Sequence, residues 1–154
     1  IQEELPNIKN FGTLSPIPGF RDWYVNLDEK LVKNILGNIP LENISFLKSS
    51  SLKIGDTRII SNKNAIYKLV AHYLMNEKNS KQLPINDVCR FHLGNGAIID
   101  DIVINANISE VGFKRSFGVM VNYLYELKNI EKNHEEYINK KTTIISNKVK
   151  KLIQ

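Results

Sequence analysis

The sequence predicts a mixed α+β fold, because segments typical of strands alternate with segments of helical periodicity. Residues 9–14 and 97–105 are short segments typical of strands, whereas residues 62–78 collect apolar side chains on one face of a helix. The chain has 154 residues, which is about the size of one domain. We therefore expect several helices packed against a few strands, in the α+β or α/β class.

The first half of the chain is predicted to be mostly helical after one strand. The strand at 9–14 runs into Ser15-Pro16-Ile17-Pro18-Gly19-Phe20, where two prolines fix the backbone and remove two donors, so the chain must turn sharply. Residues 20–60 are predicted to form short helices. A stronger helix over 62–78 is ended by Leu83-Pro84.

The second half is predicted to contain a hairpin followed by helices. Residues 87–93 and 97–105 are typical of strands, and Gly94-Asn95-Gly96 between them is typical of a turn, because Asn and Gly tolerate positive φ. The remaining predicted helices span 109–128, 131–139 and 146–153, and the last of these is basic.

Composition excludes several classes of protein. Apolar residues make up 42% and charged residues 24% of the chain, as in ordinary globular proteins. The single cysteine, Cys89, rules out an internal disulfide, and one cysteine with three scattered histidines does not favour a structural zinc site. No apolar run approaches the ~20 residues of a membrane-spanning helix, and the first residues do not resemble a signal peptide. The net charge of +5 comes mostly from lysine, which argues against sequence-specific reading of DNA bases.

Two residues are candidates for chemistry because of where they stand in the predicted structure. His92 lies at the end of a predicted strand beside a turn, where a side chain can face a cleft. Ser15 lies in a rigid turn, which suits a polar group that must be held still for a substrate. From the residues alone, a core histidine bonded to backbone and a serine that serves only the turn are alternative interpretations.

The sequence also contains two tyrosines close together and one near-match to a phosphate-binding loop. Tyr123 and Tyr125 fall in a predicted helix, where residues two apart point to different faces, so at most one would share a site and both could be core residues. The other histidines, His72 and His134, are predicted to be structural or solvated. The segment Arg90 to Ala97 approaches the phosphate loop of acetyltransferases, but its arginine is one residue too far from the first glycine, and no other phosphate-binding loop is present.

Three motifs, in order along the chain, resemble the malonyl-CoA decarboxylase family. They are Phe11-Gly-Thr-Leu-Ser-Pro-Ile-Pro-Gly-Phe20, Phe91-His-Leu-Gly-Asn-Gly-Ala97 and Gly118-Val-Met-Val-Asn-Tyr-Leu-Tyr125. The resemblance runs over most of residues 9–153. It implies the C-terminal part of a catalytic domain with an acetyltransferase (GNAT)-like fold and several added helices, so that residues 1–154 are expected to form a single partial domain.

The resemblance also implies which residues act on a substrate. Ser15 and His92 match the family's catalytic pair, and Asn122 and Tyr125 lie in the matching segment that borders the substrate. Asn95, in the turn beside His92, is a further substrate-binding candidate. The implied reaction is decarboxylation of malonyl-CoA to acetyl-CoA and CO₂ through a thioester enolate, without cofactor or metal. We expect His92 to bond the carbonyl and supply a proton, and Ser15 to be a second donor or a relay rather than a covalent nucleophile.

Partners and alternatives follow from the same resemblance. It implies malonyl-CoA as the substrate, no nucleic acid or membrane partner, assembly as a homo-oligomer, and a location in the cytoplasm or, in a eukaryote, the mitochondrial matrix. The alternatives are a GNAT-like acyltransferase, which would also need an amine or alcohol acceptor, and a non-catalytic homologue or fragment that binds a CoA ester. A basic nucleic-acid-binding module would require strongly salt-dependent affinity, and no platform of stacking aromatics is visible for it.

Overall fold

The computed structural model describes residues 9–154, which form three strands and eight α-helices joined by turns and short 3₁₀ segments. This confirms the predicted mixed α+β class. The strands are β1 (Asn10–Pro16), β2 (Ile98–Val103) and β3 (Met120–Glu126). The helices are α1 (Phe20–Val25), α2 (Glu29–Leu36), α3 (Thr57–Ser61), α4 (Lys63–Asn76), α5 (Asp87–Gly94), α6 (Glu110–Ser116), α7 (Ile130–Lys140) and α8 (Asn147–Leu152).

The three strands form one antiparallel sheet in the order β1-β3-β2. On β3, buried and half-buried residues alternate, which is the pattern of a strand with one face on the core. Ser15 stands opposite Val121, and Thr13 stands opposite Tyr123. Odd-numbered residues of β1 and β3 therefore share one face of the sheet, and this face carries the site.

Helix α4 supplies the largest helical contribution to the core. Its buried residues are Ala65, Ile66, Leu69, Val70, Ala71, Tyr73 and Leu74. They belong to one continuous apolar cluster with the buried face of the sheet. The predicted helix at 62–78 and the predicted strands at 9–14 and 97–105 are confirmed within a few residues, and so are the helices predicted at 131–139 and 146–153.

The predicted strand at 87–93 is wrong, because this segment is helix α5. The Asn86 side chain accepts a hydrogen bond from the Cys89 amide at 2.9 Å and so caps the helix, and Asp87 lies in the first turn, where a negative charge is favoured. Gly94-Asn95-Gly96 is consequently the end of a helix rather than the tip of a hairpin. The partner of β2 is β3, not residues 87–93.

The predicted helix at 109–128 is also wrong beyond its first turns. Ser109 caps α6, and the helix ends at Ser116 because Phe117 and Gly118 adopt left-handed φ values of 56° and 85°. The chain then enters strand β3. Residues 119–125 are apolar except for Asn122, and a short apolar run of this kind fits a strand as well as part of a buried helix.

No helix in residues 9–154 is both long enough and apolar enough to span a membrane.

Gly96 fixes the path between α5 and β2 through its backbone. Its φ is +90°, and a Cβ at this position would lie 2.5 Å from the Ile130 carbonyl oxygen at the start of α7. The Asn133 amide of α7 also donates to the Gly96 carbonyl at 3.3 Å. Only glycine therefore permits this approach of α7 to the end of α5.

We expect Gly96→Ala to lower the free energy of unfolding by about 3 kcal/mol or more, because left-handed strain of about 1–3 kcal/mol adds to a clash with backbone. Gly55→Ala is the matched control, since Gly55 has φ +85° but no atom within 4 Å of an added Cβ. In Gly55→Ala the free energy of unfolding should fall only by the cost of the left-handed backbone conformation. Urea unfolding of the two variants measures the difference, and equal losses would contradict the role of the close approach.

Candidate functional site

His92 lies in the last turn of α5, with its side chain toward the sheet. The carbonyl oxygen of His92 accepts hydrogen bonds from the amides of Asn95 and Ala97, both at 3.1 Å, which hold the end of the helix. The Asn95 side chain donates to the Phe91 carbonyl at 2.9 Å. Helix α5 has only eight residues. The Asn86 cap holds its start and these hydrogen bonds hold its end, so the backbone that carries His92 is fixed.

Ser15 lies near the end of β1, and its side chain is buried. The turn that follows is anchored by the fully buried Ile17 and by Pro18, whose carbonyl accepts hydrogen bonds from two side chains. These donors are the Asn86 amide, at 3.0 Å, and the Tyr73 hydroxyl, at 3.4 Å. Asn86 thus connects the turn after Ser15 to the helix that carries His92.

Ser15, His92 and Tyr125 form a continuous hydrogen-bonded set. Ser15 Oγ lies 3.1 Å from His92 Nε2, and the Tyr125 hydroxyl lies 2.6 Å from His92 Nδ1. Both ring nitrogens are therefore occupied, and His92 can reach a further molecule only through one of its two partners. We refer to these three residues as the Ser–His–Tyr set.

Aromatic rings surround this set. The Tyr123 ring stacks on the His92 imidazole with centroids 4.3 Å apart, and the Phe11 ring stacks on Tyr125 at 4.8 Å. The predicted helix would have directed Tyr123 and Tyr125 to different faces. Strand β3 instead directs both to the face that carries Ser15, so both contact His92.

Burial sets the protonation of the set. It lowers the pKa of His92 below its usual value of 6.5, and it raises the pKa of the Tyr125 phenol. At neutral pH the histidine is therefore neutral and the tyrosine protonated. Cys89, one helical turn before His92, is an inert thiol, because burial raises its pKa to about 12.

The two predicted asparagines are not brought together with this set. Asn122 points to the opposite face of the sheet, where its amide packs over Gly12. Asn95 is exposed and lines a cleft of about 340 Å³ beside α7, together with Ile130, Glu131, His134 and Glu135. Their substrate-binding roles stay predictions.

The other histidines have partners away from this set. His72 lies 3.5 Å from the Glu77 carboxylate and stacks on Trp23, and His134 Nδ1 bonds the Gly94 carbonyl at 2.6 Å. Among residues 9–154, no three His, Cys, Asp or Glu side chains are grouped so that they could hold a metal ion.

Sequence reasoning missed Asn86, Phe11 and the stacking role of Tyr123. The Asn86-Asp87 pair is a helix-start pattern and could have indicated α5. Phe11 and Tyr123 carry no comparable signal, because their contacts depend on the pairing of β1 with β3, which lie more than a hundred residues apart.

The fold and the site define a class of protein: a mixed α+β domain that holds a neutral histidine between a serine and a tyrosine at one face of an antiparallel sheet. The family model described as malonyl-CoA decarboxylase C-terminal domain matches residues 1–154. The chain belongs to this family, as its three motifs predict.

Relatives in sequence agree with this assignment. The chain is 30% identical to the mitochondrial malonyl-CoA decarboxylase of Anser anser anser over 92% of its length, and 29% identical to that of Mus musculus over 99%. It covers 31% and 35% of these relatives, so it spans about a third of their length.

Solved structures agree as well. The chain superposes on malonyl-CoA decarboxylase from Rhodopseudomonas palustris with a TM-score of 0.80 and 32% identity, covering 98% of this chain and 35% of that one. The enzyme from Cupriavidus metallidurans gives a TM-score of 0.77 and 32% identity, covering 98% and 40%.

Stability should fall below neutral pH because of His92. Its folded-state pKa is lower than 6.5, so the unfolded chain binds a proton more readily. The stabilisation is complete above pH 6.5 and is lost as the pH falls from 6.5 toward the folded-state pKa. Urea midpoints at pH 7.5 and 5.5 should therefore differ more in the wild type than in His92→Gln.

His134→Gln is the control, because His134 is exposed and outside the Ser–His–Tyr set. It should lose as much stability as the wild type over this interval. If His92→Gln loses as much stability between pH 7.5 and 5.5 as the wild type does, burial of His92 does not cause the acid sensitivity.

Proposed function

We propose that this chain contributes the reacting groups for decarboxylation of malonyl-CoA to acetyl-CoA and CO₂. Two lines of support are membership of the malonyl-CoA decarboxylase family and the Ser–His–Tyr set itself. The observation that carries the proposal is the occupation of both His92 nitrogens. It leaves the Ser15 and Tyr125 hydroxyls as the two ends of a proton chain through His92, and we assign the Ser15 end to the substrate.

The reaction needs donors at two positions. The bond between the carboxylate carbon and the α-carbon breaks, and its electron pair moves into the thioester carbonyl to form an enolate while CO₂ leaves. A hydrogen-bond donor at the carbonyl oxygen stabilises that charge, an effect of about 3–4 kcal/mol per donor in comparable sites. A proton must then reach the α-carbon. The thioester is itself the electron sink, so the step as written uses no cofactor.

A neutral His92 donates from one ring nitrogen and accepts at the other, and its two tautomers reverse the direction of both hydrogen bonds. For this proposal we assign the tautomer in which the Tyr125 hydroxyl donates to Nδ1 and Nε2 carries the hydrogen and donates to Ser15 Oγ. The Ser15 hydroxyl hydrogen is then free to point at the substrate. We therefore revise the expected roles: Ser15 contacts the substrate directly, and His92 acts through Ser15.

Proton delivery in this scheme balances along the set. Ser15 gives its proton to the α-carbon and takes one from His92 Nε2, while Nδ1 takes one from Tyr125, which takes a proton from water and leaves hydroxide. The ring hydrogen is then on Nδ1, and its return to Nε2 restores the set before the next turnover. No acyl-enzyme forms. The third position beside the histidine is held by a phenol rather than by the carboxylate of a hydrolase triad, which supports Ser15 as a donor and not a nucleophile.

Removing any one member of the Ser–His–Tyr set should slow the reaction. We expect Ser15→Ala, His92→Ala and Tyr125→Phe each to lower kcat for acetyl-CoA formation by about 10²-fold or more, the usual scale of acid–base and oxyanion groups. Tyr137→Phe is the matched control, because it also removes one phenol hydroxyl from a buried tyrosine, and that hydroxyl has no partner within residues 9–154. It should stay within twofold of wild type.

The assay should be run on the chain alone and on a chimaera. In the chimaera, residues 9–154 replace the matching region of the Rhodopseudomonas palustris enzyme. Product that depends on His92 in either form supports the proposal. Absence of product from both, under conditions where the parent enzyme is active, would contradict it, and acetyl transfer to an added amine in its place would favour the acyltransferase alternative.

Assembly and location remain proposals of the same kind. We propose a homo-oligomer, which sedimentation of the chain tests. We also propose a cytoplasmic location, or the mitochondrial matrix in a eukaryote; the Anser anser anser and Mus musculus relatives are named as mitochondrial.

A further inference from the structure

We propose that Tyr123 is a positioning residue whose buried ring fixes the plane of the His92 imidazole. Its effect on catalysis rests on the proposed function, but its effect on the histidine is independent of any substrate. Tyr123 is fully buried, lies on the central strand of the sheet and stacks on His92 with an angle of 19° between the rings.

The hydrogen bonds of His92 do not fix its orientation by themselves. Both lie in the plane of the ring, one to Ser15 Oγ and one to the Tyr125 hydroxyl. The imidazole can still tilt out of this plane by turning about its Cβ–Cγ bond, which carries both ring nitrogens out of line with the two oxygens. A tilt lengthens or misaligns both bonds, and hydrogen bonds weaken steeply as they lose alignment. A flat surface against one face of the ring blocks this motion, and Tyr123 supplies that surface.

The Tyr123 ring is held more firmly than the ring it supports. Strand β3 is paired on both sides, with Thr13 of β1 and Ile99 of β2 opposite Tyr123. Cys89 and His92 are three residues apart and share a face of α5, so both stand over the same tyrosine. The ring therefore lies between a paired backbone and a capped helix.

The ring rather than the hydroxyl carries this role. The Tyr123 hydroxyl is buried near the Cys89 thiol but makes no hydrogen bond of ordinary geometry within residues 9–154. Its pKa is raised well above the usual value, chiefly by burial, so it stays a neutral phenol. Phenylalanine keeps the flat face, whereas leucine or methionine fills the space without it.

The test compares Tyr123→Phe, Tyr123→Leu and Tyr123→Met with Tyr137→Leu. Tyr137 is the matched control for lost aromatic burial, because it is also buried and packs near Gly94 at the end of α5 but has no ring contact with His92. The first readout is the ¹⁵N spectrum of the His92 ring in the labelled chain, with the signals assigned by their absence in His92→Gln. The second is kcat and KM for malonyl-CoA in whichever form is active, the chain or the chimaera.

We expect wild type, Tyr123→Phe and Tyr137→Leu to show two well-separated ring nitrogens, as a single fixed tautomer requires. Tyr123→Leu and Tyr123→Met should show nitrogen shifts that move toward each other as the two tautomers exchange. In these variants kcat should fall about 10- to 100-fold with less than a threefold change in KM, because misplacement affects the reacting step.

A fixed tautomer in Tyr123→Leu or Tyr123→Met would overturn the inference, and so would a loss of kcat no greater than in Tyr137→Leu. Tyr123→Met keeps the test decisive if Tyr123→Leu does not fold, since methionine adapts to irregular space. If neither the wild-type chain nor the chimaera forms product, the proposed function fails while the spectra still decide whether Tyr123 orients His92.

Discussion

The whole site depends on the two hydrogen bonds of one buried asparagine. Asn86 accepts from the Cys89 amide and so starts α5, and it donates to the Pro18 carbonyl and so fixes the turn after Ser15. The proline-rich turn lacks two backbone donors, so its carbonyls must find donors elsewhere. One side chain thereby holds together a serine and a histidine that are 77 residues apart. Loss of the bond to Cys89 would leave a buried backbone amide unpaired, at a cost of about 1–3 kcal/mol, whereas the Pro18 carbonyl would keep its longer bond from Tyr73.

Strand β3 completes the site because it is the central strand. Its pairing with β1 sets Tyr125 beside Phe11 and Tyr123 beside Thr13, on the face that carries Ser15. A strand directs alternate residues to one face, so a single segment supplies both the phenol that bonds His92 and the ring that stacks on it. The close approach at Gly96 then fixes α5 at its other end, against α7. The functional groups come from three segments far apart in sequence, and each is held by backbone pairing or by a cap.

The sequence predicted the strongly periodic elements and the residues inside distinctive motifs. Helix α4 has fourteen residues with a clear apolar face, and Ser15 and His92 lie in segments particular to the family. Helix α5 and strand β3 are eight and seven residues long, and apolar patterns of that length fit either state. The Asn86 cap makes the first segment a helix, and pairing with β1 makes the second segment a strand. The misassignment of β3 alone separated Tyr123 from Tyr125, which the strand directs to the same face.

The choice of a phenol beside the histidine is consistent with the proposed chemistry. Decarboxylation moves one negative charge from the departing carboxylate to the thioester oxygen, so the site must stabilise an anion without adding another. A buried carboxylate at Nδ1 would favour the charged imidazolium and bring a second negative charge near the enolate. In the proposed tautomer Tyr125 instead donates to Nδ1 while neutral, and burial both lowers the pKa of His92 and raises that of Tyr125. The Ser–His–Tyr set then carries no net charge, and in the proposed tautomer its hydrogen bonds run from Tyr125 through His92 to Ser15. Preorganised donors of this kind stabilise developing charge without reorienting during the reaction. In the proposed mechanism, the stacking that holds the His92 ring in one plane therefore acts together with the serine that would contact the substrate.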